Sequence, residues 1–332
     1  MSFEYYRPQT VEEALMLLSE HTDAKFYAGG SDVLPQLRAE VYDPDALISL
    51  EGIDSLKGIK CEGETVTIGA MTTLRDIENS ELLKDVLPAL PEAARTIASQ
   101  KIRNLATIGG NLCQKVKCPY FNQSHQTKFM RDTIEPCYKR KGRVCVAAQY
   151  EKDLLHIVVD RPGCQAPMPS DMGTALSSLG ATLVLRSADG TREILCNEFY
   201  MAGAEPRIKK AELLTEVRVP VKKNMGSAYM SYMPSPGVFS VVSAAVSLTF
   251  AEDKDVLDTA AVYLGGVDGK PYPAEKPVAY LMEGPLTEER IHAASKLLLD
   301  EVNAVNDDVL FKVAKARDIF RKAVTLAWQG RR

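Results

Sequence analysis

No apolar run in this 332-residue chain approaches the roughly 20 residues that cross a bilayer, and its opening, MSFEYYRPQTVEEALMLL, has no basic flank, apolar segment and small-residue cleavage site. A cytoplasmic protein without a membrane partner is expected. An excess of positive charge is also missing. The 40 Lys and Arg against 44 Asp and Glu leave a formal net charge of -4, so no global basic face invites nucleic acid. Neither G-x-G-x-x-G nor a P-loop with its Lys and Ser/Thr occurs, which removes the standard dinucleotide and nucleotide fingerprints. Internal repeats and low-complexity runs are absent as well.

What is present describes a globular chain. With 45% hydrophobic and 25% charged residues it can bury a sizeable core, and its length suits two domains. Thr10-Val11-Glu12-Glu13 forms a capping box ahead of ALMLLSEH and predicts a helix over about 11–20. AKFYA reads as a strand running into Gly29-Gly30, ALISL as another, and ETVTIGA alternates with period two. TTLRDIENSELLKDVLPALPEAARTIAS is helical, with breaks expected at Pro88 and Pro91. MGTALSSLGATLVLRS gives helix, glycine turn and strand. From about Val217 the texture changes: SAYMSYM, VFSVVSAAVSLTF and TAAVYLGGV read as an antiparallel meander. Helices in TEERIHAASKLLLDEV and LFKVAKARDIFRKAVTLAWQ follow, the last ending at Gly330. The fold class is α+β, with a domain boundary near Pro220.

Two glycine pairs close strands, in AGGSDV (28–33) and TIGGNL (107–112). Paired glycines reach φ > 0 and, without Cβ atoms, let backbone N–H groups converge on an oxyanion as a phosphate cradle does. Two tight turns are the alternative. Asp171 likewise reads either as the N-cap of the MGTAL helix or as a polar ligand group.

Seven cysteines, an odd number, in a reducing compartment favour metal or redox chemistry over disulfides. Four of them, spaced Cys118-x18-Cys137-x7-Cys145-x18-Cys164, lie in one segment that holds ten Lys or Arg against five Asp or Glu between Gln114 and Gln165. Tetrahedral sulfur ligation suits a [4Fe–4S] cluster or zinc. These spacings are too wide for tight C-x2–4-C zinc knuckles and match no standard ferredoxin run, and structural or incidental thiols remain a third option. His125 and His156 are candidate replacement ligands. The cations either compensate an anionic cluster or form a docking patch for an acidic electron carrier such as ferredoxin. Cys61 and Cys196, in strand-like contexts, read as core or incidental thiols.

In order and spacing, KFYAGGSDVLPQLR, TVTIGAMTTLRDIE, KIRNLATIGGNLC and PSDMGTALSSLGATLVL resemble the FAD-binding subunit of the molybdenum hydroxylases, the xanthine, aldehyde and carbon monoxide dehydrogenase family, over nearly the whole chain. The resemblance implies a vanillyl-alcohol-oxidase-type FAD-binding domain over 1–220, built of subdomains at about 1–55 and 56–220. A C-terminal sheet-and-helix domain of the CO dehydrogenase flavoprotein type would occupy 221–332. It implies noncovalent FAD, with Ala28, Gly29, Gly30, Ser31, Asp32 and Val33 around the pyrophosphate and Gly69 and Thr72 beside it. Ile102, Ala106, Thr107, Gly109, Gly110 and Asn111 would form the second wall. Ser170 and Asp171 would meet the ribityl or ribose region, and Leu183 and Cys113 would pack near the flavin.

Within this family, the flavoprotein subunit of 4-hydroxybenzoyl-CoA reductase carries an inserted loop holding a [4Fe–4S] cluster, and the segment at about 114–165 resembles it in position and layout. That likeness implies Cys118, Cys137, Cys145 and Cys164 as cluster ligands. Electrons would then pass between a ferredoxin-like carrier, the cluster, FAD, a small [2Fe–2S] subunit and a large molybdopterin subunit. The alternative is the FAD subunit of a xanthine or aldehyde dehydrogenase-type enzyme whose insert is a structural zinc or interaction module. The chain has no recognisable catalytic base or substrate-binding set of its own. It also departs from the family where relatives carry a Lys- or Arg-rich segment near the flavin, because SYMPSPGVFSVVS has no cation.

Overall fold

The computed structural model describes residues 3–122, 137–140, 142–149, 156–159, 161–201, 203–251, 255–303 and 306–331; His125 lies outside them. The chain begins with β1 (Glu4–Tyr6) and α1 (Val11–Glu20), followed by β2 (Lys25–Tyr27), α2 (Val33–Arg38) and β3 (Ala46–Ser49). The three strands form a parallel sheet in the order β1-β3-β2, with β3 buried along its length. Thr10 starts α1 by accepting the Glu13 N–H at 3.1 Å, while the Glu13 carboxylate reaches one residue further back than a capping box does, to the Gln9 N–H at 2.8 Å. The apolar spacing then buries Val11, Ala14, Leu15 and Leu18 against Ile48, Ile53 and Leu56.

A second, antiparallel sheet takes in β4 (Ile59–Glu62), β5 (Thr65–Gly69), β6 (Thr182–Ser187) and β7 (Gly190–Leu195). The pair β8 (Tyr200–Met201) and β9 (Glu205–Pro206) stands apart, and β10 (Leu213–Pro220) completes the larger sheet in the order β4-β5-β10-β6-β7. Val217 of β10 faces Ile68 on one side and Leu183 on the other, all three fully buried. Between β5 and β6 run α3 (Leu74–Asn79), α4 (Glu81–Val86), α5 (Ala89–Thr96), α6 (Gln100–Arg103), α7 (Ile108–Cys113), α8 (Pro119–Asn122) and α9 (Asp171–Ser178). The helical stretch after β5 breaks at Pro88 as expected, breaks also at Ser80, and runs through Pro91. Ser80 ends α3 and caps α4, Pro88 is the N-cap of α5, and Pro91 sits in the first turn of α5. A first-turn proline costs no helical hydrogen bond, because that N–H has no intrahelical acceptor.

The last third is a meander of β11 (Met225–Tyr232), β12 (Val242–Phe250), β13 (Leu257–Gly265) and β14 (Tyr272–Pro273). It is backed by α10 (Glu275–Met282), α11 (Glu288–Lys296) and α12 (Asp307–Gln329). α12 crosses β11 so closely that a Cβ on Gly226 would stand 1.8 Å from the Ala327 carbonyl oxygen, which only glycine permits. Among the described residues no helix is long and apolar enough to cross a membrane.

Candidate dinucleotide cleft and cysteine segment

The two glycine motifs, distant in sequence, meet. β2 ends in the turn Ala28–Ser31, where Gly30 takes φ 69°, and a Cβ on Gly29 would lie 1.7 Å from the Leu105 carbonyl oxygen. The second motif is laid against the end of β5 by a short ladder: Leu74 N–H to Ala106 O at 2.8 Å, Ile108 N–H to Thr72 O at 3.0 Å and Gly109 N–H to Ala70 O at 2.9 Å. Thr107 Oγ1 accepts the Gly110 N–H at 3.1 Å. Between the motifs opens a solvent-connected cleft of about 650 Å³. Ala28, Gly29, Gly30, Ser31, Asp32 and Val33 line one side, and Thr107, Gly110 and Cys113 the other. Lys25, Phe26, Tyr42 and Lys115 close it. Those four were not marked by the sequence pattern. Lys25 and Lys115 flank the two motifs in sequence and so left a signal, whereas Tyr42 arrives only through the fold.

The Asp32 carboxylate at the cleft is fully engaged. It accepts the Lys117 ammonium, the Lys115 backbone N–H at 3.2 Å and Gln36 Nε2 at 2.7 Å. The Cys113 thiol, beside it, is pushed up to about 12 by burial and stays protonated.

A second and a third cavity, of about 310 and 630 Å³, share Pro169, Asp171 and Phe239. Asn111, Gln114 and Ala98 line the smaller, Lys117, Cys118, Met168 and Ser240 the larger. Ser170, not Asp171, is the N-cap of α9: its Oγ accepts the Gly173 N–H at 2.9 Å and donates to Asn111 Oδ1 at 2.6 Å. Asp171 is thereby free of capping. Its carboxylate, enclosed by protein with only an edge on the cavities, accepts the Tyr229 hydroxyl at 2.5 Å and the Ser240 hydroxyl at 3.1 Å. Burial outweighs both hydrogen bonds and pushes its pKa up to about 6.

The other carried-over positions do not line these cavities. A Cβ on Gly69 would lie 2.3 Å from the Leu56 carbonyl oxygen, and Thr72 Oγ1 exchanges hydrogen bonds with the Gly58 N–H and C=O, each at 3.0 Å. Ala106 and Leu183 are buried in the main core, and Ile102 is exposed on α6. Arg103, next to Ile102, holds the cavity wall. It donates to Ile97 O at 2.9 Å and Ala98 O at 3.0 Å and pairs with Glu78 at 3.0 Å, fixing Ala98 at its left-handed φ of 48°.

Of the cysteine segment, all four thiols fall among the described residues, Cys137 and Cys164 buried and Cys118 and Cys145 half-buried. Among the described residues no three His, Cys, Asp or Glu side chains converge as a metal site. The sulfurs are nonetheless neighbours: Cys118 lies within electrostatic reach of Cys137 and Cys164, and Cys145 of both Cys137 and Cys164. Cys164 Sγ accepts the Ala166 N–H at 3.4 Å, whereas the Phe121 and Arg140 N–H groups go to the backbone carbonyls of Cys118 and Cys137, at 3.1 and 2.6 Å. Burial pushes Cys118 up to about 11, and Cys137 and Cys164 upward. His156 does not join them in a metal site; its carbonyl takes a 2.8 Å hydrogen bond from the buried Lys312 ammonium.

Five of the segment's described cations turn inward. Lys115 and Lys139 share Glu205, and Lys117 takes Asp32. Arg140 caps the carbonyls of Phe121 at 3.1 Å and Glu40 at 3.0 Å, and Arg161 grips the fully buried Asp268 at 2.7 Å. They fasten the segment onto both halves of the chain. Lys117 also sits 5.8 Å from the Phe239 ring centroid, so a cation does reach the apolar SPGVF loop, from elsewhere in the sequence.

Residues 1–222 match the FAD binding domain in molybdopterin dehydrogenase, and residues 227–326 the CO dehydrogenase flavoprotein C-terminal domain. The chain belongs to this family of flavin subunits. The aldehyde oxidoreductase FAD-binding subunit PaoB of Escherichia coli strain K12 is 32% identical over 85% of this chain and 87% of its own length. The carbon monoxide dehydrogenase medium chain of Hydrogenophaga pseudoflava is 27% identical over 98% and 97%. A solved carbon monoxide dehydrogenase from Hydrogenophaga pseudoflava, lacking the Mo-pyranopterin moiety of the molybdenum cofactor, superimposes with a TM-score of 0.77 at 25% identity, covering 100% of this chain and 99% of that one. The flavin subunit described here is therefore an oxidoreductase component with a mixed α/β FAD-binding domain and a CO dehydrogenase flavoprotein C-terminal domain.

FAD fits the cleft chemically. Gly29 and Gly30 let the first loop pack against Leu105 and Tyr27 so that its backbone lines the cleft, Ser31 and Thr107 bring hydroxyls, Lys25 and Lys115 bring charge, and the one carboxylate in the lining is already matched by Lys117.

Proposed function

We propose that this chain is the electron-transferring FAD subunit of a molybdenum-containing dehydrogenase complex of the aldehyde or CO dehydrogenase kind. Its partners would be a small [2Fe–2S] subunit and a large molybdopterin subunit that holds the organic substrate. The observation that carries the reading is the meeting of the two glycine motifs at Gly29 and Leu105 around an open cleft. Bound there, FAD supplies the exchange between two-electron and one-electron chemistry that such a complex needs. The protein's part is to hold it: a flavin unit over 1–220 would cradle the diphosphate with Ala28–Val33, Thr107 and Gly110. Asn111, Ser170 and Asp171 would hydrogen-bond the more polar middle of the cofactor, and a C-terminal unit over 221–332 would bring Phe239 across the cavities. Gly69, Thr72, Ala106, Gly109 and Leu183 would support the walls from behind, and the exposed Ile102 draws no support as a wall residue. Protein purified without oxygen should release about one FAD per chain on unfolding. A chain that is purified free of flavin and takes up none from solution refutes the reading.

A second reading adds a [4Fe–4S] cluster at Cys118, Cys137, Cys145 and Cys164, as in 4-hydroxybenzoyl-CoA reductase. It is favoured by one feature, the gathering of four thiols on one segment within electrostatic reach in every pairing but that of Cys118 with Cys145, with the Ala166 N–H donated to Cys164 Sγ at 3.4 Å as N–H groups are to the sulfurs of protein-bound clusters. Burial disfavours bare thiolates there, and a bound metal would reverse that preference. Metal analysis decides: about four iron per chain, lost in Cys137→Ser with FAD retained, supports the cluster, zinc supports the structural module, and neither metal leaves the plain dehydrogenase subunit. A ferredoxin docking patch draws little support, because the described cations named above are spent inside the chain.

A further inference from the structure

We propose that Lys115 is the cation that meets the diphosphate of the bound dinucleotide, which it does by exchanging Glu205 for the phosphates. The inference rests on the FAD reading above and goes beyond it, since the glycine loops themselves carry no positive charge.

A diphosphate brings two negative charges into a cleft whose walls exclude much of the solvent, and bare backbone N–H groups answer only part of that charge. Among the cleft-lining side chains, Lys25 and Lys115 are the cations and Asp32 the carboxylate. Lys117 is tied to Asp32, and Lys25 to Asp23 while it lies 5.4 Å from the Tyr42 ring centroid. Lys115 differs in two respects. Its backbone is anchored beside the first glycine motif by its N–H on Asp32 Oδ2 at 3.2 Å, and it follows the second motif after Cys113 and Gln114, so it lines the cleft between the two loops. Its present partner, Glu205, also holds Lys139 at 3.0 Å. When the flexible Lys115 stem turns toward the cleft, the half-exposed Glu205 keeps the Lys139 ammonium and the remaining solvent contact, so breaking the pair costs little. Glu205 thus holds Lys115, and Lys139 makes its departure cheap.

The test is titration of flavin-stripped, full-length protein with FAD and with riboflavin, which lacks phosphate, following flavin fluorescence. K115M should bind FAD about tenfold more weakly, ~1.4 kcal/mol, with a shallower salt dependence, K115R should recover most of the loss, and riboflavin should bind all three proteins alike. E205Q, which releases the lysine, should bind FAD at least as well as the unaltered chain. Unchanged FAD affinity in K115M overturns the assignment while leaving the FAD reading intact. Equal losses of FAD and riboflavin in K115M, or a loss in E205Q matching that of K115M, mark the ion pair as structural and also overturn it. An unaltered apoprotein that binds no FAD overturns the FAD reading, and this inference with it.

Discussion

Asp171 should make the stability of the flavin-free protein fall as pH rises, and D171N should abolish that dependence. The carboxyl is enclosed by α9, β11 and the loop before β12, and burial lifts it from 3.8 to about 6 against the opposing hydrogen bonds of Tyr229 and Ser240. A folded-state pKa above the unfolded one means that the folded chain prefers the proton. The contribution is therefore fully favourable below the unfolded value and is lost as pH climbs through the folded one. The gap of about two units corresponds to about 3 kcal/mol, at about 1.4 kcal/mol per unit, most of it spent between roughly pH 4 and pH 7. D171N keeps the shape and an acceptor oxygen but does not titrate. Urea unfolding of both proteins across this range isolates the group, because every other titration cancels in the difference. D171N should gain on the parent by about 3 kcal/mol from the acid end to neutrality, whatever constant offset the lost charge-assisted bond from Tyr229 adds. A difference that stays flat with pH would show that solvent reaches the carboxylate and that the enclosure argument is wrong.

G29A tests the junction of the two loops. The added methyl must displace the Leu105 carbonyl from 1.7 Å, a backbone atom that cannot rotate aside, so purified protein should lose its FAD and melt lower, at a cost of ~3 kcal/mol or more. R103M removes the guanidinium from Glu78 and from the carbonyls of Ile97 and Ala98, with both charged side chains mostly buried. Urea unfolding should register a loss of about 3 to 5 kcal/mol, and R103K should restore less than half, because an ammonium cannot serve three separated acceptors in one plane. Little change in either variant would mean that the Ala98 turn holds its own shape.

Local chemistry was legible in the linear chain. The capped start of α1 at Thr10, the meander of β11 to β13, and Gly29-Gly30 as a turn closing β2 all rest on contacts within a few residues, so period and turn residues report them, whereas Gly109-Gly110, read as closing a strand, lies in the helix α7 that Thr107 caps. Pro91 misled because a proline's effect depends on where the helix begins, and Ser80 and Pro88 moved that start. The Asp171 ambiguity had the same root. Only the fold shows Ser170 taking the cap and leaving the aspartate to Tyr229 and Ser240, which lie 58 and 69 residues away.

By itself the sequence determined that this is a flavin subunit of the molybdenum hydroxylase family, because spaced glycines, caps and alternating strands are properties of neighbours along the chain. Tertiary structure alone decided which charges are spent and which are available. Lys115, Lys117, Lys139 and Arg161 look alike in a list of basic residues, yet each finds a carboxylate 85 to 107 positions away or, for Lys139, 66. Electrostatic partnership depends on distance through space and on what water is excluded, and neither quantity is written in residue order.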